Sequence, residues 1–335
     1  MGRCDSRCGD QARMIRRAVS RIAVIHHGSS ANPALAALRD QLRRRRLIDG
    51  DNCIVDAAGV EGQWDRLPEL IGQLLHRRPD VLVAIGGVAA LSAHRATSRV
   101  PLLHAIVLDP SDIGLTAPNV SGVTTFDPTQ ATRHLRLLRQ LISDLRTVVC
   151  LTDTDAPKGA DGLNPLESSL QRAAAAQGLE VVSVKLPGAD AILGELLHSM
   201  QQSQTHALIA LEVPAVLARL GAISAVAERL RLPLLSPYGW QDGGVVMQGA
   251  ALHDAIHPLA MAVAAVLQGV SVADFPVRTV RRKRLVLHRA RAQRIGLQIP
   301  ASVLSQATQF LVDLPLVDVT STPPFEFQPR LNDEI

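Results

Sequence analysis

The stretch that decides the fold is residues 78–91, RPDVLVAIGGVAAL. Val81 to Ile85 is an unbroken apolar run with β-branched residues at alternate positions, and it is too short for a helix. Such a run is typical of a strand buried on both faces of a parallel sheet. Gly86 and Gly87 allow the chain to turn sharply after this strand. The residues from Val88 to Thr97 have the composition of a short helix, whose N-terminal N–H groups would lie above the strand end.

Strands and helices alternate along the chain on both sides of this unit. Strands are predicted at residues 21–27, 52–57, 101–108, 120–125, 146–151, 180–185, 206–211 and 232–236. Amphipathic helices are predicted between them at residues 33–47, 64–76, 128–145, 166–177, 189–202 and 214–230. Strict alternation is the signature of parallel sheets covered on both faces. The 335 residues suffice for two such units, and two units in one chain form a cleft.

Composition excludes several classes of function. Hydrophobic residues make up 47% of the chain but aromatic residues only 2%, so aromatic platforms for nucleic-acid stacking are not expected. The formal net charge is +4, and arginine runs at 13–17, 43–46 and 278–284 are interpreted as solvated surfaces or as a phosphate-binding surface. No apolar run is long enough to span a membrane. The first 20 residues are interrupted by charges and lack the apolar core of an export signal.

The order of landmarks resembles a known family. PDVLVAIGGVAA at 79–90 precedes VLDP at 107–110 and NVSGV at 119–123, and these precede LQG at 267–269, ADFPV at 273–277 and AQRIGLQIPASVL at 292–304. This collinear set is similar to the ABC-transporter substrate-binding proteins of the tryptophan and aromatic-acid type, which have the type I periplasmic binding protein fold. The resemblance covers roughly residues 20 to 310.

The resemblance implies two Rossmann-like α/β lobes with parallel sheets, joined by a three-segment hinge. The implied first lobe is 20–124 plus 249–275 and the second is 125–248 plus 276–312. Connections are expected near 124–126, 247–250 and 275–278. Residues 1–19 are expected to form a disordered leader, and residues 313–335 a proline-rich tail.

In the first lobe, candidate ligand-binding residues follow the predicted strands. Gly87, Val88 and Ala89 could hold an anion through backbone N–H groups, or form a plain tight turn; the hydroxyl that the family usually has there is absent. The other candidates could bond a ligand or bond within their own loops: His26, His27, Ser29, Asp109 and, in the first connection, Thr125.

In the second lobe, the candidates again lie at strand ends. Thr152 and Asp153 occupy the loop after one strand, and Glu212 follows another, where a ligand amine or hydroxyl would fall. Ser236, Tyr238 and Trp240 follow a third strand, and the two aromatic rings either stack on a ligand or pack between the lobes.

No catalytic motif or metal site is expected. The chain lacks a nucleophile elbow, a Walker loop and a two-histidine metal helix. The sequence predicts no enzyme activity, no cofactor and no metal.

Two functions remain open from the sequence. The first is the solute-binding component of an ABC importer, a periplasmic, monomeric protein that binds a small carboxylate or amino-acid-like ligand and docks on an ABC permease. The second is a cytoplasmic or membrane-tethered metabolite sensor with altered or lost ligand binding, which the missing export signal favours. Neither function involves nucleic acid.

Overall fold

The computed structural model describes residues 19–26, 28, 32–61, 63–154, 156–186, 205–237, 243–280 and 283–311. The predicted leader (apart from its last residue), the predicted helix at 189–202 and the predicted tail lie outside the described residues. Within those ranges, no helix combines the length and apolar character that crossing a bilayer requires.

The described elements begin with the following series: β1 (Ser20–His26), α1 (Pro33–Arg44), β2 (Cys53–Gly59), α2 (Leu67–His76), β3 (Val81–Ile85), α3 (Gly87–Ala96), β4 (Leu102–Val107), β5 (Val120–Thr124), α4 (Gln130–Leu141), β6 (Thr147–Asp153), α5 (Pro165–Ala175) and β7 (Glu180–Leu186). The series continues with β8 (Ala207–Ala210), α6 (Pro214–Leu217), α7 (Leu220–Arg229), β9 (Leu234–Ser236), β10 (Val246–Gly249), α8 (Leu252–Leu267), β11 (Arg278–Thr279), β12 (Arg284–His288), α9 (Arg289–Arg294), α10 (Ala301–Leu304) and β13 (Gln309–Leu311).

These strands form two sheets, one in each lobe. The first has the order β11-β5-β4-β3-β1-β2, and all its neighbours are parallel. The second has the order β13-β12-β10-β9-β8-β6-β7 and is parallel except where β10 meets β12. The predicted fold class, two α/β lobes with mainly parallel sheets, is confirmed.

The predicted burial of β3 on both faces is also confirmed. All five of its residues are fully buried between β4 and β1. Val81, Val83 and Ile85 pack under α1 and α8, while Leu82 and Ala84 pack under α2 and α3. This double coverage explains why the strand is uniformly apolar.

Three connections join the lobes. The first two run through residues 125–129 and 250–251, and the third joins Val280 to Lys283, each between strands or helices of different lobes. The third lies after the expected 275–278, because Arg278 and Thr279 pair with Val123 and Thr124 and extend the first sheet as β11. The helix expected at 214–230 is divided into α6 and α7, since the N–H of Arg219 bonds the carbonyl of Val216, three residues back, and tightens the chain there.

A buried histidine lies in the centre of the first sheet. His104 in β4 is fully buried, and neither ring nitrogen has a hydrogen-bond partner among the described residues. Gly122 on β5 makes room for the ring, because a Cβ there would lie 2.6 Å from Cγ of His104. Burial lowers the pKa of His104 to about 4, so the ring is neutral in the folded protein.

This burial predicts a specific loss of stability in acid. The unfolded chain takes up the proton near its ordinary pKa of about 6.5 and the folded chain only near 4, so stability present above pH 6.5 is lost as pH falls toward 4. At pH 5 the loss relative to pH 8 is about 2 kcal/mol for this one residue. In urea unfolding, the free energy of unfolding of the wild type should fall more between pH 8 and pH 5 than that of His104→Leu, and the difference should be about that amount. Identical pH dependence in both proteins would contradict the assignment.

Candidate ligand-binding site

The carboxyl ends of strands from both sheets border one cavity between the lobes. The first lobe contributes the ends of β3 and β4 and the start of α3, and the second contributes residues after β6 and β8. We call this the cleft cavity, and it measures about 60 Å³. The described residues that line it are Trp64, Ile85, Gly86, Gly87, Val88, Ala89, Ile106, Leu108, Ile113, Ala156, Pro157, Glu212, Val213 and Leu217.

The start of α3 supplies backbone donors to the cleft cavity. Gly86 is the N-cap residue with φ of 99°, a conformation that favours glycine, and it has no capping side chain. In helix geometry, the N–H groups of Gly87, Val88 and Ala89 have no intrahelical acceptor. These residues line the cavity. An anion could therefore bind there without any cationic side chain.

A bulge at the end of β4 places a strained residue in the cavity wall. The register between β4 and β5 shifts between Ala105 and Val107, and Ile106 has φ of 56°. A β-branched residue in the left-handed region is unusual, and such strain is characteristic of ligand sites. The bulge places Ile106 in the cavity lining, although neighbouring residues of β4 are buried in the core.

Glu212 carries the polar chemistry of the cleft cavity. Of the described residues that line the cavity, it alone has a titratable side chain. Burial raises the pKa of Glu212 to about 7, although nearby Lys283 acts in the opposite direction. At neutral pH this carboxyl group can therefore donate or accept a hydrogen bond. Asp153 supports the adjacent helix, because its Oδ2 accepts from the N–H of Ala215 at 3.0 Å at the start of α6.

The two lobes touch at two places, one of them in the wall of the cavity. A Cβ on Gly87 would lie 3.1 Å from Cγ of Pro157, and a Cβ on Gly159 would lie 2.6 Å from Cγ of Asp112. Each pair joins one residue of each lobe. Glycine at these two positions lets the lobes approach closely.

The structure brings four of the predicted site residues together. Gly87, Val88 and Ala89 of the first lobe and Glu212 of the second line the cleft cavity. His27, Ser29, Tyr238 and Trp240 lie outside the described residues. Roles for all eight as ligand contacts stay predictions.

The remaining predicted residues lie elsewhere and form bonds within the lobes or connections. His26 is buried beside Asn32, and Nδ1 of His26 lies 3.4 Å from Nδ2 of Asn32. Thr152 Oγ1 accepts from Asn164, and Ser236 Oγ accepts from the N–H of Gly244. The other three are Asp153, described above; Asp109, whose Oδ1 accepts from the N–H of Asp112 at 3.3 Å; and Thr125, whose carbonyl accepts from Lys283.

Sequence reasoning missed most of the apolar wall. Trp64, Pro157 and Leu217 come from three separate segments and look like ordinary helix or loop residues in the sequence. Trp64, one of two tryptophans in the chain, was the one available signal.

The contact between Gly87 and Pro157 can be tested by filling it. Gly87→Leu should hold the lobes apart, because a side chain there meets Pro157, and the radius of gyration from small-angle X-ray scattering should rise above that of the wild type. The matched control is Gly72→Leu on α2, where a Cβ meets nothing within 4 Å. Identical scattering for all three proteins would show that the lobes do not meet at Gly87.

The strain at Ile106 predicts an inverted order of stabilities. Ile106→Gly should be more stable than Ile106→Ala by about 1 kcal/mol, because only glycine adopts this backbone without strain. Ile54, a half-buried isoleucine of β2 with ordinary backbone, provides the control. At this position the alanine variant should be more stable than the glycine variant by about 0.5–1 kcal/mol. Denaturant titration of the four variants checks this, and the same order at both sites would refute the strain.

Comparison with known proteins gives a consistent result. Residues 19–311 match the family described as ABC transporter substrate binding protein. The tyrosine-binding protein of Clostridioides difficile strain R20291 is 22% identical over 265 residues, 75% of this chain and 72% of the relative.

Two solved structures share the fold. A conserved domain protein from Vibrio cholerae has a TM-score of 0.76 at 21% identity, covering 88% of this chain and 100% of its own. The ABC domain from Streptococcus pneumonia in complex with L-Trp has a TM-score of 0.73 at 20% identity, covering 87% and 100%. Because the family match extends over most of its length, this chain belongs to the ABC transporter substrate binding protein family.

Proposed function

We propose that this protein captures a small carboxylate or amino-acid-like molecule in the cleft cavity and presents it to an ABC permease. The observation that carries the proposal is that both sheets direct strand ends and a helix N-terminus at one shared, largely apolar cavity. Membership of a solute-binding family supports binding rather than catalysis as its role.

The ligand carboxylate would lie at the start of α3. Gly87, Val88 and Ala89 offer backbone N–H groups there, and the positive end of the helix dipole favours an anion. Glycine at position 87 lets the ligand approach the backbone closely. Glu212, on the opposite lobe, would bond an amine or hydroxyl of the same molecule.

The rest of the ligand would be apolar. Trp64, Val88, Ile106, Leu108 and Leu217 line the cavity, and a charged ligand body would be desolvated against them at high cost. The tyrosine-binding relative and the homologous domain in complex with L-Trp support an amino acid with a ring.

Binding would operate through the hinge. A cavity of about 150 Å³ accommodates benzene, whereas the cleft cavity measures about 60 Å³, so an aromatic ligand needs the lobes farther apart than they are in this structure. A ligand that contacts both lobes then favours the state in which they close on it, by its differential affinity for that state. The permease would recognise that closed state. The proposed location is the periplasm, where such a capture protein meets its solute.

A thermal-shift panel of amino acids and aromatic carboxylates tests this proposal. A ligand present at 100 times its Kd stabilises the folded state by about 2.7 kcal/mol, which for a chain of this size raises Tm by roughly 4 °C. Matched alcohols, such as 2-phenylethanol against phenylacetate, should give little shift because they lack the anion. Gly72→Leu should keep the shift and Gly87→Leu should lose it. A flat response across the panel from folded protein would refute the proposed ligand class.

A further inference from the structure

A second, smaller cavity lies beside the cleft cavity in the second lobe. It measures about 20 Å³ and is lined by Asp127, Gln130, Ala131, His134, Leu166, Ser169, Leu170, Ile209, Ala210, Leu211, Glu212, Pro237 and Gln248. We call it the hinge cavity, because Asp127 lies in the first connection and Gln248 lies in β10, just before the second. Glu212 lines both cavities and is the side chain that they share.

Two polar side chains of the hinge cavity have unused hydrogen-bonding atoms. His134 is more than nine-tenths buried, and its Nε2 has no partner in the part of the chain that the structure describes. The same holds for Oε1 of Gln248. Burial, followed by the proximity of Arg133 and Lys283, lowers the pKa of His134 to about 3, although Asp127 opposes the shift. The imidazole is therefore neutral, and the amide oxygen can only accept.

The neighbouring charges already balance one another. Arg133 donates to Asp127 at 2.6 Å, and Lys283 donates to the carbonyl of Thr125 at 2.8 Å. Glu212 is the second carboxyl group near Lys283. An ammonium group entering here would face Arg133 and Lys283, and a carboxylate would face Asp127 and Glu212. A neutral donor avoids both repulsions.

We propose that the hinge cavity is a subsite for a single neutral hydroxyl group of the ligand, which donates to Gln248 and contacts Glu212 and His134. This inference rests on the proposed function, and it narrows the ligand to a hydroxylated aromatic carboxylate or amino acid. The volume of the hinge cavity suits one hydroxyl group, because a cavity of about 10–15 Å³ holds one water molecule and a hydroxyl group is of similar size. A ring does not fit and stays in the cleft cavity.

The subsite would select by leaving its polar atoms unsatisfied when the donor is missing. A bound analogue without the hydroxyl would bury Oε1 of Gln248 and Nε2 of His134 without partners. The resulting discrimination for one such group is about 5- to 150-fold in affinity. Sites that hydrogen-bond a substrate hydroxyl reject the analogue without it far better than apolar pockets reject an added methylene.

Isothermal titration with matched ligand pairs tests the subsite. The pairs are L-tyrosine against L-phenylalanine and 4-hydroxyphenylacetate against phenylacetate, which differ only in the hydroxyl. The wild type should bind the hydroxylated member of at least one pair tenfold or more tightly. Gln248→Met removes the acceptor and keeps a side chain of similar size. It should reduce the preference to below about threefold by lowering the affinity for the hydroxylated member alone. Gln293→Met, at an exposed position on α9, should leave the preference unchanged.

The outcomes separate the subsite from the proposed function. Equal binding of both members by the wild type means that the hinge cavity holds only water, which overturns the subsite but not the ligand class. If other small carboxylates bind and no member of the two pairs does, the subsite is overturned as well. No binding of any carboxylate overturns both. If Gln248→Met fails to fold, the wild-type comparison still decides.

Discussion

The architecture depends on one constraint, the parallel pairing of neighbouring strands. Each crossover between two parallel strands returns the chain to the same end of the sheet, so the loops that follow these strands lie together at the carboxyl edge. Two such sheets joined by three short connections bring those edges together. The cleft cavity, with Gly87 on one side and Pro157 and Glu212 on the other, follows from this geometry.

The two lobes bring different chemistry to the cavity. The first offers backbone N–H groups at α3 and a strained isoleucine at the β4 bulge, both held by a sheet buried on both faces. The second offers the carboxyl group of Glu212, whose pKa lies close to neutrality because it is buried. A ligand that needs both sets of groups can be satisfied only when the lobes are together. Asp127 and Gln248 line the hinge cavity together with Glu212, and Lys283 lies near the same carboxyl group. The residues proposed to contact the ligand therefore lie next to the connections between the lobes.

The sequence predicted the fold well because burial leaves a strong pattern. The all-apolar run of β3, the glycines after it and the alternation of elements sufficed for the two lobes and for the position of Gly87 to Ala89 at the start of α3. The roles of the candidate site residues stay predictions. Thr152, Asp153 and Ser236 have the residue types and strand-end positions of ligand contacts, and in the structure their side chains bond within the second lobe. The bulge at Ile106 and the contact with Pro157 depend on tertiary packing, which no local pattern reports. The third connection was placed too early because a two-residue strand, β11, has no periodicity to detect.

The central claim, that the carboxyl edges of the two lobes face and meet, is tested most directly by disulfide trapping. A Cβ on Gly159 would lie 2.6 Å from Cγ of Asp112, and Cγ is one bond from Cβ, so the two Cβ atoms of a cysteine pair would be no more than about 4 Å apart, within reach of a disulfide. Asp112→Cys with Gly159→Cys should therefore oxidise rapidly to an internal disulfide, which peptide mass mapping would locate. If both cysteines instead stay as thiols that react freely with maleimide in the folded protein, the lobes do not meet and the account fails.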